Sequence, residues 1–401
     1  MVEQQPIEEL QETGWDVIVA GAGPAGSVAA GYLAGKGHKT LLLDKETFPR
    51  EKVCGDGLSH DSIRFLKKIG LYETVQWAGH EVQMARAHST SEMTLEVPGP
   101  YITLRRRHFD SLLAKRAVEA GAIFCCGKIV RFYVEGENIR AVHVDGLGKP
   151  LHARYVILST GAQIGLAKSL RLIDRAFPSA VATRCYVASK EKLDCLVGSC
   201  VRPVLPGYGW VFPMGDDLYN VGVIAFYTKG RKSGLGLNKR FDEFVKVFPP
   251  AQKVMRSGKM VSNLVAAPLR CGLPESVVPG KGNLIATGET IGSTFNFTGE
   301  GIGKAMETGE LAAKIIHDAL SHEKTDVVRR FKKALDLTLR PKYVGYVTAE
   351  RCMSKAWLND FIASGVLKNS YLRQAVLDMT VRELDPRKAF SLGGIMKSLW
   401  S

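Results

Sequence analysis

The first strongly apolar stretch, Trp15 to Ala20 with Val17, Ile18 and Val19 at its centre, is short and unbroken, the pattern of a parallel strand covered on both faces. It runs into Gly21-Ala22-Gly23-Pro24-Ala25-Gly26; Ser27 to Lys36 then reads as an Ala-rich helix, and Lys39 to Asp44 as a second strand ending in an acid. Val82 to Thr103 is polar and β-prone, and Phe109 to Ala120 predicts a helix. Further strands are expected near Ile123 to Val134, Ala141 to Val144 and Arg154 to Ala162. From Ala180 to Leu269 apolar and polar positions alternate between glycines, as in an antiparallel sheet. Asn283 to Glu289 reads as a strand, Gly301 opens a helix, and Val327, Phe331, Ala334 and Leu335 carry helical spacing onward. The expected fold class is α/β: a Rossmann-like domain interrupted by an antiparallel-sheet domain, with a helical C-terminal region. By boundaries, a tail covers 1–13, the dinucleotide domain 14–75, 104–165 and 276–320, the substrate domain 76–103 and 166–275, and the helical region 321–401.

Composition narrows the partners. The chain has 401 residues and a net charge of +14, and residues 321–401 hold 15 Lys or Arg against 8 Asp or Glu. No nucleic-acid reading motif accompanies this surplus, so no nucleic-acid partner is expected. A solvated basic face with no partner accounts for most of these charges, and attraction to an anionic membrane surface or a phosphorylated substrate explains the same surplus. The ending Ile395-Met396-Lys397-Ser398-Leu399-Trp400 would suit the cover of a tunnel, plain core packing or a bilayer surface. Met1 to Thr13 carries four acids and no base, unlike a secretory or transit segment, and reads as a solvated tail. Eight cysteines lack metal-ligand spacing, so no metal is expected. A cytoplasmic protein, peripheral to a membrane at most, fits these features.

The glycine turn has its own chemistry. Gly21 permits the tight turn, Gly23 lets backbone approach a pyrophosphate, and Gly26 lets helix and strand pack closely. The helix N-terminus offers free N–H groups to phosphates. Asp44, eighteen residues after Gly26, is spaced to accept hydrogen bonds from a ribose. The turn leaves NAD and FAD open. A second block, the Asn283–Glu289 strand followed by Gly299-Glu300-Gly301-Ile302-Gly303, could hold a ribityl chain and the edge of a flavin, or serve only as another strand–helix unit.

Together with Phe48-Pro49-Arg50-Glu51-Lys52-Val53-Cys54-Gly55-Asp56-Gly57, Arg106 to Asp110 and Tyr208-Gly209-Trp210-Val211-Phe212-Pro213, these blocks resemble the geranylgeranyl reductase family of FAD-dependent oxidoreductases. The resemblance runs from Trp15 to Ala313. It implies FAD contacts from Ala25, Asp44, Cys54, Gly55, Arg106, Val130, Glu289, Gly301 and Ile302. Glu289 stands where the family usually has Asp, one methylene longer.

Such an enzyme saturates carbon–carbon double bonds of an isoprenoid chain with hydride from reduced FAD. Tyr208, Trp210 and Phe212 lie two apart and share one face of a strand, so they would line an apolar substrate slot, or simply fill a core. Cys54, a thiol protonated at neutral pH with an ordinary pKa of about 8.5, and Tyr208 are the candidate proton donors. The substrate would be an isoprenoid lipid or prenyl diphosphate, and the electron donor NADPH or a ferredoxin. The competing expectations are a monooxygenase or halogenase of the same fold and a non-catalytic, membrane-peripheral flavoprotein.

Overall fold

The computed structural model describes residues 2–10, 14–173, 177–227, 236–323 and 326–382. Its first sheet is built around Trp15–Ala20, which pairs in parallel with Thr40–Asp44 on one side and Leu151–Leu158 on the other. Ile123–Cys126 extends the sheet beyond Thr40–Asp44, and Leu284–Ala286 extends it beyond Leu151–Leu158, both in parallel. Every residue of Thr40–Asp44 is buried, which explains why its apolar run does not alternate. An antiparallel ribbon, Ile129–Glu135 with Asn138–Val144, joins this sheet through Leu151–Leu158.

Two helices set the glycine turn in place. The helix Pro24–Gly35 starts directly after Gly23 and packs along Ile302–His322. That contact is close because Gly309 has no side chain: a Cβ there would lie 2.2 Å from the carbonyl oxygen of Ala25.

Among the described residues, the second sheet has nine strands. Its central order is Ala180–Ala188, Leu218–Phe226, Gly207–Pro213, Leu196–Ser199 and His80–His88, antiparallel except for the last pair. The β-prone segment expected at Val82 to Thr103 supplies two of its strands, His80–His88 and Thr94–Thr103. One face packs Val187, Val197, Val211 and Val221 against Phe241, Phe244 and Phe248 of the helices Leu237–Val247 and Pro249–Ser257. Those helices interrupt a stretch expected to be all sheet. Their apolar residues recur every three or four positions, a spacing that the surrounding glycines masked in a reading tuned to alternation.

The N-terminal segment is not solvated throughout. Val2 and Leu10 are buried, and Gln5 N–H donates to the carbonyl of Phe124 at 2.9 Å. Glu3, Glu8 and Glu9 lie outward while two apolar side chains close the edge of the first sheet. The helical expectation after Thr325 corresponds to Val327–Thr338, Arg340–Met353, Ala356–Lys368 and Ser370–Arg382. The aromatic ending Ile395 to Trp400 lies outside the described residues. Among the described residues, no helix is long and apolar enough to cross a membrane.

Candidate active site

A cavity of about 1500 Å³ lies between the two sheets and reaches the C-terminal helices. Gly21, Gly23, Ala25, Asp44, Cys54, Gly55, Arg106, Val130, Glu289, Gly301 and Ile302 all contribute to its wall. So do Tyr208, Trp210 and Phe212. Gly26 stands behind the wall, buried in the turn.

The glycines divide by what surrounds them. Gly21 has φ +100°, and a Cβ on it would meet the carbonyl oxygen of Ser159 at 2.3 Å. A Cβ on Gly26 would meet the carbonyl oxygen of Gly21 at 1.8 Å. These two are required by the turn itself. At Gly23 the nearest atom to a Cβ is Arg50 Nη2, 3.7 Å away, so this glycine keeps space open toward the cavity. Asp44 fixes the far side of the turn by accepting from Ala22 N–H at 2.8 Å and Glu46 N–H at 3.2 Å.

Two arginines join the acid to the helix Arg106–Glu119. Arg50 lies 3.5 Å from Asp44 Oδ2 and 3.0 Å from Asp110 Oδ2. Arg106 donates to both oxygens of Asp110, at 2.7 and 2.9 Å, and Asp110 is fully buried. Bidentate geometry of this kind fixes the guanidinium plane. The flanking arginines face elsewhere: Arg105 stacks on Tyr186, and Arg107 pairs with Glu51.

The Cys54–Gly57 loop is held by a polar cluster that sequence reading did not single out. Asp56 has φ 62° and no solvent exposure. Its Oδ2 accepts from the Tyr186 hydroxyl at 2.5 Å and from Asn220 Nδ2 at 2.9 Å, while Oδ1 accepts from Arg106 N–H at 3.2 Å. The same Asn220 amide donates to the carbonyl of Cys54 at 2.9 Å. Burial pushes the Asp56 carboxyl up to about 6, against the opposing pull of the Tyr186 hydrogen bond and the Arg184 charge. Burial likewise pushes the Cys54 thiol up, although the Arg106 guanidinium pulls the other way. The thiol therefore carries its proton at neutral pH. Asp56 lay inside a motif already quoted, but Tyr186 and Asn220 sit more than a hundred residues away, and only strand pairing brings them to it.

On the second sheet the three aromatic residues do share a face. Ring centroids are 6.1 Å apart for Tyr208 and Trp210, and 6.3 Å for Trp210 and Phe212. The Tyr208 hydroxyl donates to the carbonyl of Thr298, and burial raises its pKa far above the ordinary phenol range. Glu289 reaches across the other end, where Oε1 accepts from Arg270 N–H at 3.2 Å. Gly301 starts the helix Ile302–His322, and Thr294 Oγ1 would lie 2.6 Å from a Cβ there.

This set fits FAD. The open edge at Gly23 and the start of Pro24–Gly35 suit a pyrophosphate, Asp44 suits a ribose, and the Glu289–Ile302 segment can meet the ribityl chain and ring system.

Comparison with known proteins agrees. The FAD binding domain family matches residues 14–177. A menaquinone reductase from Mycobacterium tuberculosis is 30% identical over 317 residues, covering 75% of this chain and 76% of the relative. Digeranylgeranylglycerophospholipid reductase 1 from Methanopyrus kandleri is 29% identical over 328 residues, covering 78% of this chain and 82% of that one. Among solved structures, a geranylgeranyl bacteriochlorophyll reductase-like protein from Thermoplasma acidophilum superposes with a TM-score of 0.77 at 20% identity, over 96% of both chains. A flavin-dependent brominase reaches 0.75 at 18% identity, over 97% of this chain and 98% of its own, so the fold itself serves more than one chemistry. The cofactor is FAD, and the chain belongs to the geranylgeranyl reductase family of FAD-dependent oxidoreductases.

Proposed function

We propose that this protein saturates carbon–carbon double bonds in an isoprenoid chain. The observation that carries the reading is the continuity of the cavity: the loops suited to FAD open directly onto a floor of Tyr208, Trp210 and Phe212. From there the space runs on to Leu358, Ile362, Val366 and Met379 of the C-terminal helices. Such a space suits a long apolar chain better than a compact polar substrate.

Reduced FAD, when bound, supplies hydride to one alkene carbon. The protein's part is to position the chain, exclude water and deliver a proton to the other carbon. Trp210 and Phe212 give a flat apolar bed. Cys54, protonated and on the cavity wall, is the proton donor of this reading, while Tyr208 has the role of a wall residue because its hydroxyl is engaged by Thr298. Electrons would come from NADPH or a ferredoxin. An isoprenoid lipid would enter from a membrane surface met by Trp357 and Phe361, exposed one turn apart on Ala356–Lys368, with Phe361 on the cavity rim and Lys355 and Lys368 exposed at the two ends of that helix.

The test is anaerobic. The protein is reduced with dithionite and mixed with geranylgeranyl diphosphate or a geranylgeranylated lipid. Reoxidation of the flavin with a product two hydrogens heavier is expected, and Cys54→Ala should slow it while retaining flavin. Flavin that stays reduced with every prenyl substrate, yet reoxidises with oxygen and hydroxylates or halogenates an aromatic acceptor, would replace this reading with the monooxygenase one. If neither occurs, the protein is a non-catalytic flavoprotein.

A further inference from the structure

The cavity floor contains a buried cation with no part in the chemistry above. Strand registers align Tyr186, Asn220 and Phe212 in one row, Arg184, Gly222 and Trp210 in the next, and Ala182, Ile224 and Tyr208 in a third. Side chains alternate between faces along a strand, so these three rows form one surface, and it is the surface that faces the cavity. The middle row continues from Trp210 to Gly198 and Ala87. Its small residues leave room for the indole to lie flat across the row: at Gly222 a Cβ would meet Trp210 Cζ2 at 2.2 Å. Arg184 stands at one end of this row.

Arg184 is only 4% exposed. Its Nε has no hydrogen-bond partner, and among the described residues no carboxylate forms an ion pair with it. Its guanidinium lies 4.1 Å from the centre of the Tyr186 ring. Asp56 is near enough to feel its charge, yet the Asp56 oxygens are already taken by Tyr186, Asn220 and Arg106 N–H. A cation so buried and so poorly compensated is costly to the empty protein. The cost is recovered when a ligand brings oxygens, and the planar fork of arginine matches a phosphate.

We propose that Arg184 anchors the oxyanion head group, phosphate in kind, of an isoprenoid ligand whose chain runs over the Trp210 indole toward Gly198 and Ala87. The identity of the chain as isoprenoid rests on the function proposed above. The other source of acceptor oxygens is FAD itself, and the experiment separates the two.

FAD-loaded wild type, Arg184→Met and Arg184→Lys are titrated, with the flavin oxidised and at physiological ionic strength, with geranylgeranyl diphosphate and with geranylgeraniol. Binding is followed through flavin absorbance and tryptophan fluorescence. Wild type should prefer the diphosphate by about tenfold or more. Arg184→Met should erase the preference by weakening the diphosphate alone, and Arg184→Lys should keep part of it. The unliganded Arg184→Met protein should melt no lower than wild type, since relief of the buried charge offsets the lost contact with the Tyr186 ring. A preference that survives in Arg184→Met overturns the proposal, as does a wild type with none. So does a marked loss of FAD affinity in Arg184→Met with the diphosphate preference intact, which would give the guanidinium to the cofactor. Because the readout is equilibrium binding, a failure of alkene reduction leaves this result standing, and loss of the preference leaves the reductase reading standing.

Discussion

The indole Nε1 of Trp210 donates a 2.9 Å hydrogen bond to Oδ1 of Asn220, and this one asparagine ties the aromatic floor to the loop that carries Cys54. Its amide faces the Cys54 carbonyl and the Asp56 carboxylate at once, so a single side chain sets the height of the loop above the sheet.

Replacement of Asn220 by Leu removes three hydrogen bonds and leaves the Trp210 indole N–H and the Cys54 carbonyl without these partners, while Asp56 keeps Tyr186. We expect a loss of about 2–4 kcal/mol of stability, measured by urea unfolding, together with altered flavin circular dichroism. An unchanged unfolding midpoint would show that the loop holds its position without this residue.

Asp56 links stability to pH in an unusual direction. Its carboxyl is raised from 3.8 to about 6 in the folded protein. The contribution is therefore fully present below the unfolded value and is lost as pH rises through about 6, on the order of 3 kcal/mol across that window. The stability of wild type minus that of Asp56→Asn should fall between pH 4 and pH 7, about the bounds set by those two pKa values. A difference that is flat or rising with pH would contradict the buried placement of this acid.

The glycine turn predicts two different failures. Gly26→Ala forces a Cβ into the Gly21 carbonyl and should prevent folding of the turn, giving little soluble protein. Gly23→Ala meets nothing closer than 3.7 Å in the empty protein. It should fold with a normal melting temperature yet bind FAD about tenfold or more weakly, read by flavin fluorescence quenching. Normal FAD affinity in Gly23→Ala would mean that the pyrophosphate does not approach there.

Arg106→Ala removes two of the hydrogen bonds that hold the fully buried Asp110. Arg50 remains at 3.0 Å, so the expected cost is about 3 kcal/mol rather than complete unfolding. Arg106→Ala/Asp110→Leu should recover much of that loss in denaturant titrations. Equal instability of single and double variants would show that the pair is not the source.

The features legible in the sequence were those whose cause is local. Gly21, Gly26 and Asp44 announce themselves because turn, helix and strand follow one another within thirty residues. The shared face of Tyr208, Trp210 and Phe212 follows from strand alternation alone. Asp56, Tyr186 and Asn220 could not be joined in advance: their contact depends on strand registers and on the placement of one sheet over the other, which no short window encodes. Arg184 escaped for the same reason, as a charge on a strand reads as solvent-facing until the cavity beside it is known. The helices Leu237–Val247 and Pro249–Ser257 were hidden by the glycines and strands around them.

The cavity draws its two ends from distant parts of the chain, and they differ in their freedom to change. At the cofactor end, Gly21 and Gly26 are pressed against backbone oxygens, so a side chain at either position is excluded. At the far end, the wall is made of ordinary helical residues such as Leu358, Ile362 and Met379, where one apolar side chain can replace another. Under the proposed function, a lineage could thus refit the protein to longer, shorter or differently branched chains by drift in its last helices, while the cofactor end is inherited unaltered.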